Sequence, residues 1–257
     1  MGCGNSSSTE TKPMGSAPAT SKAVVATPAA AGSGITVEYF DAFYGRADSI
    51  RFLYHKANVQ YTYKGFSNEE WAALKAKGYG EFGGLPIIKA NGKEYGQSMA
   101  ALRSQGAKYG LYDPKDVMGS YYCDVIVDGN VDVLDTTTGV LLGVLMGKGG
   151  KPDAEDHQKI KELFKKAHAP TLNLLVANMK AHGGKYAAGN KLSIADCCLV
   201  ASMANIWCNE ASPFYATFQE CLAGGDVDKA AIDAYFATLR AEFGDRLKDP
   251  ARTPKGG

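Results

Sequence analysis

The sequence predicts an α/β domain followed by an all-helical one, and three observations carry that reading. Strand-like alternation and helical spacing take turns from Ile35 to about residue 109, strand patterns cease beyond Gly110 and Pro114, and only helical spacing follows as far as residue 246. At 257 residues, 45% of them hydrophobic, the chain can bury such a core without disulfide staples. Residues 35–109 and 116–246 are the expected folded units, between a leader at 1–34 and a short flexible tail at 247–257.

The elements follow in order. Ile35-Thr36-Val37-Glu38-Tyr39 alternates, placing Ile35, Val37 and Tyr39 on one face of a first strand. Gly45 ends that pattern, and Ile50, Leu53, Tyr54 and Ala57 then recur at helical spacing. Residues 59–63 return to strand character, residues 67–77 to helix, and Leu85-Pro86-Ile87-Ile88 forms a third strand. Asn91-Gly92 marks a hairpin into 94–96, after which a helix opens at Gln97 or Ser98. The order β-α-β-α-β-β-α within about 75 residues is thioredoxin-like, and Pro86 at a strand start invites a cis peptide. Helical spacing then occupies 117–146, 154–180, 193–209 and 227–243, with Pro170 expected to kink the second of these. Ser193-Ile194-Ala195-Asp196 reads as a capping box that fixes the start of the third.

Composition excludes several classes. The 28 Lys and Arg against 27 Asp and Glu leave a formal charge of +1, so no global field favours nucleic acid as a partner. No apolar run approaches the ~20 residues that span a bilayer. The six cysteines form no C-x-x-C pair, and Cys197, Cys198 and Cys208 fall at helical spacing in an apolar stretch, as small core residues do. The four histidines make no pair that would place two rings on one helical face, and no metal is expected.

The leader is rich in Gly, Ser, Thr, Ala and Pro, without strand or helix period, and its composition predicts disorder. Its opening, Met1-Gly2-Cys3-Gly4-Asn5-Ser6, matches the pattern for myristoylation at Gly2, with Cys3 placed for a palmitoyl chain. One acyl chain binds a membrane only marginally, and the leader offers just Lys12 and Lys22 against Glu10, so Cys3 must supply the second anchor. The expected location is the cytoplasmic side of a membrane, peripheral and lipid-anchored, or the cytoplasm where acylation does not occur.

Five pieces coincide in order: Tyr39-Phe40 with Gly45-Arg46-Ala47 after it, Trp71 with Lys75, Phe82-Gly83-Gly84-Leu85-Pro86, Gln97-Ser98, and the Ser193 to Asp196 box. Together they resemble a cytosolic glutathione transferase. The tyrosine, the Trp-x-x-x-Lys pair and the Asp-containing stretch 122–128 are most similar to the sigma class, which includes the glutathione-dependent prostaglandin D synthases. The resemblance implies a thioredoxin-like domain followed by the all-helical C-terminal domain of that family. It also implies glutathione as co-substrate with no further cofactor, a small hydrophobic electrophile or a peroxide as second substrate, and a homodimer.

Each piece has a physical reason to handle glutathione, a tripeptide with two carboxylates, an amine and a thiol. Ser98 opens a helix whose free N–H groups and positive dipole end suit the γ-glutamyl carboxylate, with Gln97 beside it. Leu85, held extended by Pro86, can pair its backbone with the cysteinyl residue as an added strand would. Trp71 and Lys75 lie one helical turn apart and can meet the glycine carboxylate. By resemblance, Asp132 of the partner subunit reaches the glutathione amine. A thiol of pKa near ~8.5 is mostly protonated at neutral pH, so a tyrosine hydroxyl donating to sulfur, with an arginine nearby, favours the reactive thiolate. Tyr39 is assigned that role and Arg46 the supporting one.

The sequence departs from the family between Tyr39 and Gly45, where it carries one residue more. Tyr44 in this lengthened loop is the competing hydroxyl, expected to lack the support a strand gives Tyr39 and to wall the second-substrate pocket with Phe43, Met118, Tyr122 and Trp207. Gly139 stands where the prostaglandin synthases carry an aromatic, which argues against prostaglandin isomerisation. Val131 fills one place of an aspartate cluster of which Asp128 and Asp132 remain, which again argues against a metal. Two other functions stay open beside the enzyme: a membrane-tethered glutathione-binding module with weak catalysis, and a structural member of the fold.

Overall fold

The computed structural model describes residues 34–41 and 43–248. The leader, Gly2 and Cys3 included, lies outside the described residues, as does nearly all of the tail. Strand β1 (Thr36–Phe40) pairs in parallel with β2 (Thr62–Phe66) and antiparallel with β3 (Ile87–Ala90), which pairs antiparallel with β4 (Lys93–Tyr95). The four-stranded order is β2-β1-β3-β4. The expected alternation holds: Val37 and Tyr39 join the main core with α1 (Asp48–Lys56) and α3 (Ser98–Lys108). Phe40 and Ile87 pack on the opposite side with Trp71 of α2 (Asn68–Ala76). Glu38, on that second side and only 2% exposed, accepts from the Tyr79 hydroxyl at 2.8 Å and pairs with Lys89 at 3.3 Å, so its buried charge is compensated.

The second strand begins three residues later than the alternation of 59–63 suggests. The amide of Asn58 donates to His55 and that of Val59 to Tyr54, so the end of α1 consumes these groups before the sheet can, and pairing starts only at Thr62. The Leu85-Pro86 peptide is cis, as Pro86 invited.

The helical part runs through α4 (Val117–Leu142), α5 (Ala154–Leu163), α6 (Ala169–His182), α7 (Ile194–Ser202), α8 (Tyr215–Ala223) and α9 (Lys229–Leu247). Three stretches of π-helix, Gly143–Gly147, Phe164–His168 and Met203–Trp207, extend α4, join α5 to α6 and extend α7. Pro170 lies directly after the π-helical stretch that joins α5 to α6, so the helical run is irregular there, as its position in the sequence predicts. The Asp196 carboxylate accepts from the backbone and hydroxyl of Ser193, at 2.8 and 3.0 Å, and also from the Tyr235 hydroxyl at 2.7 Å. The α7 start is therefore bolted to α9. Helix α8 has no counterpart in the periodicity reading; Phe218 and Leu222, one turn apart and buried, were its signal.

Helix α1 docks the sheet onto the helical part. Asn205 Nδ2 donates to Asp48 Oδ2 at 2.9 Å, Lys56 meets Glu242 of α9 at 2.7 Å, and the Phe52 and Phe243 rings meet edge to face at 5.4 Å.

Candidate functional site

Where β1 ends, the backbone closes over its last tyrosine. Gly45, at φ +38°, lies so near Tyr39 that a Cβ there would stand 2.4 Å from the phenolic oxygen. Only glycine leaves room for that hydroxyl. The Arg46 amide donates to the same oxygen at 3.3 Å, which leaves the hydroxyl proton free to donate elsewhere. Tyr39 is 8% exposed, and burial pushes its pKa above the ordinary phenol value despite the Arg46 amide and charge. It is a neutral donor at physiological pH.

Tyr39 opens onto a cavity of about 330 Å³ that Phe43, Tyr44 and Leu85 also line. Across it stand Leu134, Thr137 and Leu141 of α4, with Ser202, Asn205 and Met146 from α7 and the π-helical stretches. The buried end is the more polar: Thr137 and Ser202 are nearly inaccessible, whereas Met146 at the rim is 70% exposed. The Arg46 guanidinium also lines the cavity and pairs with Asp135 of α4, tying the loop after β1 to the helical part.

Behind the polar wall lies a closed chain of hydrogen bonds. Trp207 Nε1–H donates to His168 Nδ1 at 3.0 Å, so the imidazole proton resides on Nε2 and is donated to Thr137 Oγ1 at 2.9 Å. Thr137 in turn donates to the Val133 carbonyl at 2.7 Å. Burial pushes His168 down to about 3, which keeps it neutral.

On the sheet side, Gln97 is exposed and takes φ +56°, an uncommon value for a side chain that is not glycine, and Ser98 follows it, buried, as the first residue of α3. Leu85 and the buried Pro86 lead into β3 beside them. Lys75 is exposed and runs along the turn before Leu85, within 3.7 Å of where a Gly83 Cβ would lie. Trp71 is 8% exposed, with its ring against Phe40, Phe66 and Tyr79. Its ring is core as much as site.

Several expected members of the pocket lie elsewhere. Met118 is 55% exposed in the first turn of α4, Tyr122 packs on His182 with ring centroids 4.1 Å apart, and Trp207 is fully buried around His168. The α4 stripe that faces the cavity starts at Leu134, about three turns beyond Tyr122, so Thr137, Thr138 and Leu141 take the places assigned to Met118 and Tyr122. Tyr44 does line the cavity, but it does not lack support: the Arg51 guanidinium lies 5.3 Å from its ring centroid. Asp132 is exposed on α4, and Asp135, one turn further on, is the carboxylate that reaches Arg46. Asp128 pairs with Arg103, and among the described residues no three His, Cys, Asp or Glu side chains cluster to hold a metal ion. Burial raises the thiols of Cys123 to about 11 and Cys198 to about 12, so neither supplies a protein thiolate.

A neutral, buried hydroxyl facing a mostly apolar cavity that Leu85 also lines can hold a thiolate against a hydrophobic reactant, while Gln97, Ser98, Trp71 and Lys75 are not among the residues that line the cavity. Comparison with known proteins agrees. The family model "Glutathione S-transferase, C-terminal domain" matches residues 144–223. Human glutathione S-transferase A1 is 32% identical over 167 residues, covering 64% of this chain and 70% of that protein. Glutathione S-transferase A of Cavia porcellus is 31% identical, over 64% of this chain and 72% of its own length. Among solved structures, the Fasciola hepatica sigma class enzyme superposes with a TM-score of 0.66 at 23% identity, over 86% of this chain and 98% of that one, and shares the fold. The chain belongs to the glutathione S-transferase family and is a transferase.

Proposed function

We propose that the protein activates the thiol of glutathione for conjugation to small hydrophobic electrophiles or for peroxide reduction, with Tyr39 as the donor to sulfur. One observation carries this reading: the Tyr39 oxygen already accepts the Arg46 amide, so its proton is free to donate into the cavity that Leu85 also lines. Gln97 and Ser98 take the γ-glutamyl end, Leu85 and Pro86 the cysteinyl backbone, and Lys75 with Trp71 the glycine carboxylate. Arg46, already engaged with Asp135, contributes its amide to Tyr39 and its positive potential to the thiolate. Tyr39→Phe should raise the pKa of bound glutathione, read as thiolate absorbance against pH, and lower turnover by one to three decades, the scale of a lost preorganised donor at roughly 1.4 to 4 kcal/mol. Glutathione affinity should change little. A shift in the Tyr44→Phe variant with none in Tyr39→Phe would move the role to Tyr44.

A weakly catalytic binding module is favoured only by the longer loop before Gly45, and Tyr44 at the end of that loop is held by Arg51, which counts against it. Assembly as a homodimer is supported by four exposed apolar side chains, Phe82 at 59%, Val117 at 73%, Met118 at 55% and Tyr121 at 57%. In that assembly Asp132 of the partner subunit approaches the glutathione amine.

Tethering at the cytoplasmic side of a membrane rests on Gly2 and Cys3, and no helix among the described residues is long and apolar enough to cross a membrane. Gly2→Ala should release the protein from membranes, and Cys3→Ser should leave weak, reversible attachment. Wild-type protein without N-terminal lipid by mass spectrometry would end this part of the proposal.

A further inference from the structure

Phe40 at the end of β1 and Tyr44 just before Gly45 are gripped by one stack of side chains. At the near end the Tyr63 hydroxyl donates to the Phe40 carbonyl at 2.6 Å. The ring of Tyr63, on β2, lies against the Arg51 guanidinium, 4.5 Å from centroid to carbon, and on to Arg51 at 5.3 Å lies the ring of Tyr44, at the far end. Arg51 Nε donates to the Tyr61 hydroxyl at 3.4 Å, and Asp48, one turn earlier on α1, adds a favourable charge. The whole Arg51 residue is 8% exposed.

We infer that Arg51 is a positioning residue for the electrophile, holding Tyr44 as a fixed wall of the cavity through the Tyr63–Arg51–Tyr44 stack; this rests on the cavity being the second-substrate site. A guanidinium is planar and weakly hydrated, so it can lie between two rings and hold both where an ammonium holds one less well. The order of contact also explains how a loop with an added residue keeps a defined surface. β2 fixes Tyr63, Tyr63 fixes the loop's start and one face of Arg51, and Arg51 fixes the loop's end. Tyr39 takes no part in the stack, being held by β1, Gly45 and the Arg46 amide. Arg51 thus acts on recognition of the second substrate and not on the thiol.

Steady-state kinetics of the full chain with glutathione and chlorodinitrobenzene test this. Arg51→Met should raise the electrophile KM about fivefold, the effect of a lost cation–π contact, with the glutathione KM and the pKa of the bound thiol unchanged. Arg51→Lys should recover part of the shift. Tyr44→Leu should reproduce it, Tyr44→Phe should move KM several-fold less because it keeps the ring face, and Arg51→Met with Tyr44→Leu should be no worse than either alone. Equal electrophile KM in Tyr44→Leu and Tyr44→Phe overturns the inference, and that comparison decides it even where Arg51→Met does not fold. A joint shift of both KM values and the thiol pKa in Arg51→Met also overturns it. Phe43→Ala separates the underlying reading: an electrophile KM changed there but in neither Tyr44 nor Arg51 variants refutes the inference alone, and one unchanged in all three refutes the cavity as the electrophile site.

Discussion

The sheet side of the cavity and the helical side are held by different means. On the sheet side the groups are backbone or backbone-locked: the Arg46 amide and Gly45 around Tyr39, the cis Leu85-Pro86 peptide, and the Gln97-Ser98 helix start. On the helical side, side chains make the surface, and two of the segments that carry them, Gly143–Gly147 and Met203–Trp207, are π-helical. A constant substrate suits groups whose positions the backbone sets, whereas a variable second substrate suits a wall of side chains that can be rewritten residue by residue. The π-helical turns fit that division, since an extra residue in a turn swings the following side chains onto a new face.

The difference can be broken first at Gly45. Because a Cβ there would overlap the Tyr39 hydroxyl at 2.4 Å, Gly45→Ala should displace the donor and cost about one to two decades in turnover, with the thiol pKa raised and the fold retained by thermal melting. An unimpaired Gly45→Ala enzyme would mean that the backbone does not set the hydroxyl. A smaller effect is expected at Ser98. Ser98→Ala should weaken glutathione by about 1 to 3 kcal/mol in calorimetry if a charged hydrogen bond is lost, while leaving the ranking of electrophiles as it was. Unchanged affinity removes Ser98 from the site.

The helical side can be sharpened by acid. His168, held to about 3 in the folded chain, titrates near ~6.5 when unfolded, so below that pH the unfolded state binds the extra proton. Stability from this group is present above pH ~6.5 and falls by about 1.4 kcal/mol per unit below it, until the folded pKa is reached. His168→Gln lacks the term, so its stability deficit relative to wild type should narrow by up to about 2 kcal/mol between pH 6.5 and 5, read by denaturant unfolding. A deficit that stays constant would show that His168 is not buried in its neutral form.

How much of this was legible follows from range. The β1 alternation, the cis peptide at Pro86 and the Ser193–Asp196 cap depend on residues within four positions of one another, and all three are found in the structure, although β3 itself starts at Ile87 rather than Leu85. The place of Tyr39 on β1 could be read because its strand could. The misreadings involve partners far apart. Trp207 looked like a pocket aromatic because nothing near it in sequence announces His168, 39 residues away. Asp135 was passed over because its partner Arg46 lies in another domain, and Tyr44 was judged unsupported because the stack that holds it draws on α1 and β2. The π-helical turns leave no periodic mark, and one of them supplies Asn205 and Ile206 to the cavity.

Helix α1 carries a consequence for anyone recombining members of this family. Asp48, Phe52 and Lys56 recur one turn apart along it and meet Asn205, Phe243 and Glu242, the first in the π-helical stretch after α7 and the other two adjacent on α9. A chimera joined in the segment between α3 and α4 keeps every strand and helix whole, yet exchanges one side of all three contacts at once. Its cavity, whose walls come from both parents, would then be shaped by a mismatched seam. Grafting Asp48, Phe52 and Lys56 together with the donor's helical half keeps the α1 side of that seam matched, and Arg46 and Arg103, which pair with Asp135 and Asp128 of α4, belong to the same exchange.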